Sequence, residues 1–254
     1  MAKERVIIRE YCESDIPELI ELWNETFYDD KGLIEQFFQL LPKMGVGYVA
    51  VAGSRLLGMV YVLNFSVDGR VFGYIYALAV KEEYRFKGIG GALVAHCGRI
   101  HPRLCTLPAD RGLYDWYAGK AKMTYRTFCR YDRIMPENSE GVIKVLSHTE
   151  YAAKRSEFGL ETKYPVEWYE YQRELCRTYG GGMFSFGRSI ACGYVERGVL
   201  KILECLGSSD FIPVLCYRLG AEYAEIRRPA IAGDEFICAN VAIPDTLNLN
   251  LALD

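Results

Sequence analysis

Between residues 47 and 80, three β-rich runs follow one another with almost nothing between them. The run GYVAVA (47–52) is joined to residues 56–65 by Gly53-Ser54-Arg55. That second run is joined to VFGYIYALAV (71–80) by Val67-Asp68-Gly69-Arg70. Connections this short join antiparallel neighbours, because a parallel pair needs a crossover of a dozen residues or more. The three runs therefore read as an antiparallel meander. The third is apolar, aromatic and β-branched, as a central strand should be.

Other elements surround the meander. Residues 5–11 form a short β-rich run. Glu13, Ser14 and Asp15 then offer capping oxygens, and Pro17 suits a first helical turn. Ile16, Leu19, Ile20, Leu22, Trp23 and Phe27 recur with a helical period. A second helix is expected over 32–41, stopping at Pro42. After the meander come a helix over 88–99 ended by Pro102, a short strand at 104–107, an aromatic-rich helix at 112–122 and a strand at 125–134. Meander and crossover elements together give the class α/β (α+β), with a mixed, mostly antiparallel sheet flanked by helices.

The order then repeats. Pro136-Glu137-Asn138-Ser139-Glu140-Gly141 reads as a linker. Beyond it lie a strand at 142–146, helices at 147–158 and 166–179, and strands at 182–186, 190–195 and 199–206. Offset by 135 positions, Gly47 falls on Gly182, Ser54 on Ser189, Gly58 on Gly193 and Val60 on Val195. The expectation is two tandem copies of one fold, over residues 1–135 and 142–254.

Composition excludes several classes. A net charge of −3 provides no basic field for nucleic acid. No apolar run approaches the ~18 residues of a membrane span, and the charged N-terminus lacks a signal-peptide pattern. The nine cysteines contain no CxxC pair and read as reduced thiols of a cytoplasmic protein. Cys97 and His101 are four apart, but without a second pair they suggest a helix end and not a metal site. His148 sits near a helix start. Arg227-Arg228-Pro229 reads as a solvated basic point.

One stretch carries chemistry. YRFKGIGGAL (84–93) lies between the central strand and a helix. Such a loop gathers free backbone N–H groups at a helix N-terminus, where the dipole favours an anion. Gly88 and Gly90 let the backbone approach without a Cβ, Gly91 and Ala92 keep the helix start small, and Arg85 and Lys87 add cations. GxGxxG fails because Leu93 stands at its last position. GxxxxGK[ST] fails because Lys87 precedes the glycines.

What fits is Arg85-x-x-Gly88-x-Gly90 after the strand ALAV. This resembles the [RQ]xxGx[GA] motif of the Gcn5-related N-acetyltransferases, and the resemblance extends over residues 5–134. It implies that the amides of Phe86, Lys87, Gly88, Ile89, Gly90 and Gly91, with Arg85, hold the pyrophosphate of acetyl-CoA. It implies that Leu78, Ala79 and Val80 pair with the pantetheine arm where the strand splays from its neighbour. The Val80 N–H would stabilise the oxyanion. Tyr117 stands where the family's tyrosine often protonates the departing thiolate. The family's Gly-Phe after it is replaced here by Ala121-Lys122-Met123, so Tyr114 stays open as the acid. The base is open among Tyr74, Tyr76 and Glu25, while Glu82 and Glu83 read as solvated turn charges.

The second half has no RxxGxG. After Leu206 come Gly207, Asp210, Ile212, Pro213 and Val214. It resembles the degenerate second domain of tandem acetyltransferases and is not expected to bind CoA. The resemblance thus implies transfer of acetyl from acetyl-CoA to the amine of a small molecule or peptide, without metal, nucleic acid or membrane. A non-catalytic CoA-binding protein, or a structural tandem domain with a vestigial loop, is the rival reading.

Overall fold

The computed structural model describes residues 5–244, Leu249 and Leu251. The chain divides into two compact units. The first runs to Arg126 and takes in the late segment Ile237–Ile243. The second holds Thr127–Phe236 and the described residues from Pro244 onward. Compactness therefore divides the chain before the 136–141 linker and returns a C-terminal segment to the first unit.

In chain order the first unit contains β1 (Val6–Glu10), α1 (Ile16–Phe27), α2 (Lys31–Met44), β2 (Gly45–Ala52), β3 (Arg55–Val67), β4 (Arg70–Val80), α3 (Ile89–Ile100), β5 (Leu104–Thr106) and α4 (Gly112–Ala121). There follow β6 (Tyr125–Ile134), β7 (Lys144–Val145), α5 (His148–Ser156), β8 (Thr162–Lys163), α6 (Val166–Thr178), β9 (Gly182–Phe186), β10 (Ser189–Glu196), β11 (Val199–Leu206), α7 (Ile212–Arg218), β12 (Tyr223–Ala230) and β13 (Asp234–Ala239).

The first unit's sheet has the order β1-β2-β3-β4-β5-β13. The meander β2-β3-β4 is antiparallel, β4 and β5 are parallel, and β13 closes antiparallel on β5 with Cys238 opposite Thr106. Asp68 (φ 48°) and Gly69 (φ 72°) both turn left-handed, which is the type I′ geometry that a two-residue hairpin needs. Alternation along β3 separates two cores. Tyr61 meets Trp23, Phe37 and Phe38 of α1 and α2, with ring centroids 5.4, 5.0 and 5.7 Å apart. Val60 and Val62 pack in the cluster that holds Leu93, Val94 and Cys97 of α3.

One helix end differs from expectation. Pro42 does not stop α2, which runs to Met44. The proline lies in the last turn, where its missing N–H costs one bond. Leu41 and Met44, both fully buried, hold the turn in place. Gly45 then starts β2 at once, so the first strand of the meander begins two residues before residue 47.

The second unit's sheet has the order β6-β12-β11-β10-β9-β7. Taken from the other end, β7-β9-β10-β11-β12-β6 matches β1-β2-β3-β4-β5-β13, with β11 and β12 the parallel pair. Each sheet is finished by an antiparallel strand from the other half of the sequence. The aligned pair Gly58 and Gly193 has one physical reason. A Cβ on Gly58 would stand 2.7 Å from the Ala79 carbonyl oxygen, and one on Gly193 would stand 2.3 Å from that of Lys201. Both sit on the middle strand of a meander where the next backbone comes too close for a side chain.

The second unit buries a charge network. Glu204 on β11 accepts from Arg155 Nε of α5 at 3.0 Å and from the Tyr151 hydroxyl at 2.9 Å. Arg155 also donates to the Thr162 carbonyl at 2.7 Å and hydroxyl at 2.8 Å. Burial opposes the guanidinium's charge, but Glu204 and the facing tyrosines outweigh it and hold its pKa up. Arg227 corrects the sequence reading. It is buried, 4% exposed, with its guanidinium 4.6 Å from the Phe236 ring centroid. Its neighbour Arg228 pairs with Asp132 at 2.5 Å. Among the described residues no helix is long and apolar enough to cross a membrane.

Candidate functional site

The site grows from the end of β4. On one side β4 pairs with β3 along its length, from Val67↔Arg70 to Gly58↔Val80. On the other side, among the described residues, it pairs with β5 only at Gly73↔Leu104 and Tyr74↔Cys105. The Thr106 hydroxyl donates to the Ile75 carbonyl at 2.9 Å. Beyond that bond the β5-facing edge of β4 is open, over the residues that include Leu78, Ala79 and Val80.

A bulge re-aims this edge. Tyr76 lies opposite Tyr61 and Ala79 opposite Met59, so β4 holds one residue more than β3 across the step. The extra residue is absorbed at Ala77, whose φ of 45° is left-handed and unusual for a residue with a Cβ. Past the bulge, Lys81 N–H donates to the Leu57 carbonyl of the strand β3 at 2.9 Å. Successive N–H groups alternate sides along a strand, so Val80 N–H points toward the open edge.

The chain then turns through residues 82–84 into the loop. Phe86 (φ 60°) and Gly88 (φ 83°) are left-handed, and Phe86 is fully exposed. Gly88 is the N-cap of α3, and no side chain caps this helix. Ala92 N–H closes the first helical bond, to the Gly88 carbonyl at 3.0 Å. The N–H groups of Ile89, Gly90 and Gly91 precede it and belong to the unsatisfied first turn. Space around Gly88 is open, and the Trp116 ring covers Gly90 at ordinary contact distance. Arg85 Nε donates to the Val80 carbonyl at 3.0 Å, and Lys87 Nζ to the Glu83 carbonyl at 2.7 Å. An uncapped helix start with small residues and adjacent cations can hold a phosphate group.

Tyr117 and Tyr114 both lie on the buried side of α4, at 6% and 5% exposure. They differ in surroundings. Tyr114 carries the Arg126 guanidinium over its ring at 5.1 Å. Tyr117 stands beside Thr106, the residue that bridges to Ile75 where the β4–β5 pairing ends. Burial pushes the Tyr117 hydroxyl well up, with Cys238 adding to the shift and Thr106 partly offsetting it. A tyrosine shifted in this way keeps its proton at neutral pH and is not available as a base.

The base candidates separate clearly. Tyr74 and Tyr76 are buried, with rings 6.3 Å apart, and Tyr76 packs on Trp23 at 5.4 Å. Glu25 instead lines an open cavity of about 370 Å³ between α1 and the turn after β4. Glu18, Glu21, Glu82, Glu83, Lys81 and Arg85 share its walls, and Lys81 is ion-paired with Glu18. Glu82 and Glu83 are exposed, yet they help to line this cavity.

Among the described residues no group of three or more His, Cys, Asp or Glu side chains is placed to hold a metal ion. His101 Nε2 lies 3.0 Å from the Tyr48 hydroxyl, and burial pushes the Cys97 thiol up to about 12. His148 opens α5 behind a capping box of Ser147 and Glu150.

The second unit's counterpart differs. After β11, Ser208 N–H donates to Ser189 Oγ at 2.9 Å and Asp210 N–H to Ser208 Oγ at 3.1 Å. Two amides of this turn are thus already used. The following helix α7 has only seven residues, with Ile212 and Val214 buried. Sequence reasoning missed two features of the first unit's site. The bulge at Ala77 has no glycine to signal it, and Lys120 of α4 reaches α3 only through folding.

The family model described as "Acetyltransferase (GNAT) family" matches residues 8–104. No curated protein matches the sequence. Among solved structures, the chain is similar to a GCN5-related N-acetyltransferase from Kribbella flavida, at 12% identity and a TM-score of 0.63, covering 92% of this chain and 71% of that one. A GCN5-related N-acetyltransferase from Anabaena variabilis gives 12% and 0.66, covering 92% and 72%. A chain from Pyrococcus horikoshii gives 17% and 0.63, covering 99% and 94%. At these identities the likeness speaks for the fold, and it extends over both units. Over residues 8–104, within its first unit, the chain is similar to the acetyltransferase (GNAT) family.

Proposed function

We propose that this protein transfers an acetyl group from acetyl-CoA to a primary amine, by direct attack in a ternary complex. One observation carries the reading. The open edge of β4 leads directly into an uncapped, glycine-lined helix start. A pyrophosphate suits the amides of residues 86–91. A pantetheine arm, with its two amides, suits the open edge at Leu78, Ala79 and Val80.

The chemistry follows from the groups around the gap. The neutral amine nitrogen attacks the thioester carbonyl, and the new C–N bond forms a tetrahedral intermediate. Val80 N–H supports its oxyanion. The amine proton leaves through Glu25 or water at the cavity. The C–S bond then breaks, and Tyr117 donates its proton to the departing thiolate. The carboxylates of Glu18, Glu21, Glu25, Glu82 and Glu83 suit an acceptor carrying positive charge. We take the second unit as a degenerate copy of the first, without a donor site of its own.

The near-complete burial of Tyr117 favours a second reading, a CoA-binding protein without turnover. Release of CoA across a panel of polyamines, aminoglycosides, amino acids and peptides separates the two. Transfer to at least one cationic amine is expected. In Tyr117→Phe the turnover should fall by roughly 10²-fold or more while acetyl-CoA affinity stays unchanged. Tight acetyl-CoA binding with no release on any amine would favour the second reading.

A further inference from the structure

The two cations of the loop each already donate to a backbone carbonyl, Arg85 to Val80 and Lys87 to Glu83. Lys120 lies on the last turn of α4 and is exposed. Among the described residues, no hydrogen bond or ion pair engages its ammonium. Its stem lies across the start of α3. A Cβ on Gly91 would stand 3.2 Å from Lys120 Cδ, 3.5 Å from Cε and 3.7 Å from Cγ. Gly91 is the third residue of α3, so its N–H is one of the unsatisfied set.

A lysine suits the C-terminal turn of its own helix, where the dipole favours a cation. That accounts for its position on α4. It does not account for a stem laid on the N-terminal turn of another helix, where the dipole opposes a cation. An anion held at that turn reconciles the two, because it accepts from the helix amides and from the ammonium together.

We infer that Lys120 is a binding residue for the donor, its ammonium meeting a phosphate of the CoA moiety. Gly91 is the residue whose missing side chain lets it reach there. This rests on the loop as the CoA cradle. Two sources share the phosphate chemistry, the pyrophosphate and the terminal phosphate on the ribose, and dephospho-CoA, which lacks the latter, distinguishes them.

The test is calorimetric titration of the full chain with CoA and with dephospho-CoA, for the wild type, Lys120→Met and Lys120→Arg. Methionine keeps an unbranched stem over Gly91 and removes only the charge. Lys120→Met should weaken CoA about ten-fold or more, and Lys120→Arg should restore most of it. A loss for CoA alone assigns the terminal phosphate, and an equal loss for both ligands assigns the pyrophosphate. An unchanged affinity for both, in a variant that melts like the wild type, overturns the role of Lys120 and leaves the cradle standing. Absence of binding by the wild type itself would sink the cradle and this inference with it.

Discussion

Asp15 shows how one residue anchors the site's scaffold. Its carboxylate takes two bonds from Arg9, at 2.7 and 2.9 Å, and one from Cys12 N–H at 2.8 Å. Chiefly through the Arg9 bonds, its pKa is lowered to about 2. The group is a stronger acid in the folded chain than in the unfolded one. Its contribution is therefore present above the ordinary carboxylate value and is lost as pH falls through about 2. Arg9 is 40% exposed, so solvent screening limits the pair to about 1 kcal/mol. Asp15→Asn should lower stability by about that much at neutral pH. Urea titrations should show the difference closing as the pH drops toward 2. A constant difference across that range would show that Asp15 acts through packing and not through charge.

Pairs of elements set the next scale. α5 and β11 are joined by the buried Arg155–Glu204 pair, at 3% and 0% side-chain exposure. Removing one partner strands a charge, whereas removing both strands none. Arg155→Met and Glu204→Leu should each cost about 3–5 kcal/mol in chemical denaturation. The double variant should recover a large part of that loss. Additive losses would show that the two charges do not depend on each other.

This scale also separates what the sequence tells from what it hides. The meander, its two tight turns and the RxxGxG loop are local, so residue pattern exposes them. Strand 199–206 and strand 125–134 begin and end where the pattern places them. Pro42 misled because a proline's local cost was outweighed by the burial of Met44. Arg227 misled because a charged letter does not reveal the Phe236 ring it folds onto. The bulge at Ala77 carries no turn residue, and the approach of Lys120 to Gly91 joins positions 29 apart in sequence through packing alone. The open β4 edge was legible only through the family resemblance, since strand pairing is not written in either strand by itself.

At the scale of the whole molecule, two sheets of one topology have unequal ends. Both units carry a meander, a parallel neighbour and a closing antiparallel strand. Only the first follows its central strand with an uncapped helix of several turns. The second follows it with a turn in which Ser189 and Ser208 take two of the amides, and with a seven-residue helix. The proposed function therefore predicts one donor site per chain. The most direct measurement is calorimetric titration of acetyl-CoA into the wild type and Gly88→Glu, with folding of the variant checked by its melting transition. The account expects one site per chain in the wild type and none in the variant, because a glutamate at the left-handed N-cap would set a carboxylate against the phosphates. Two sites per chain, or undiminished binding by a folded Gly88→Glu, would contradict it.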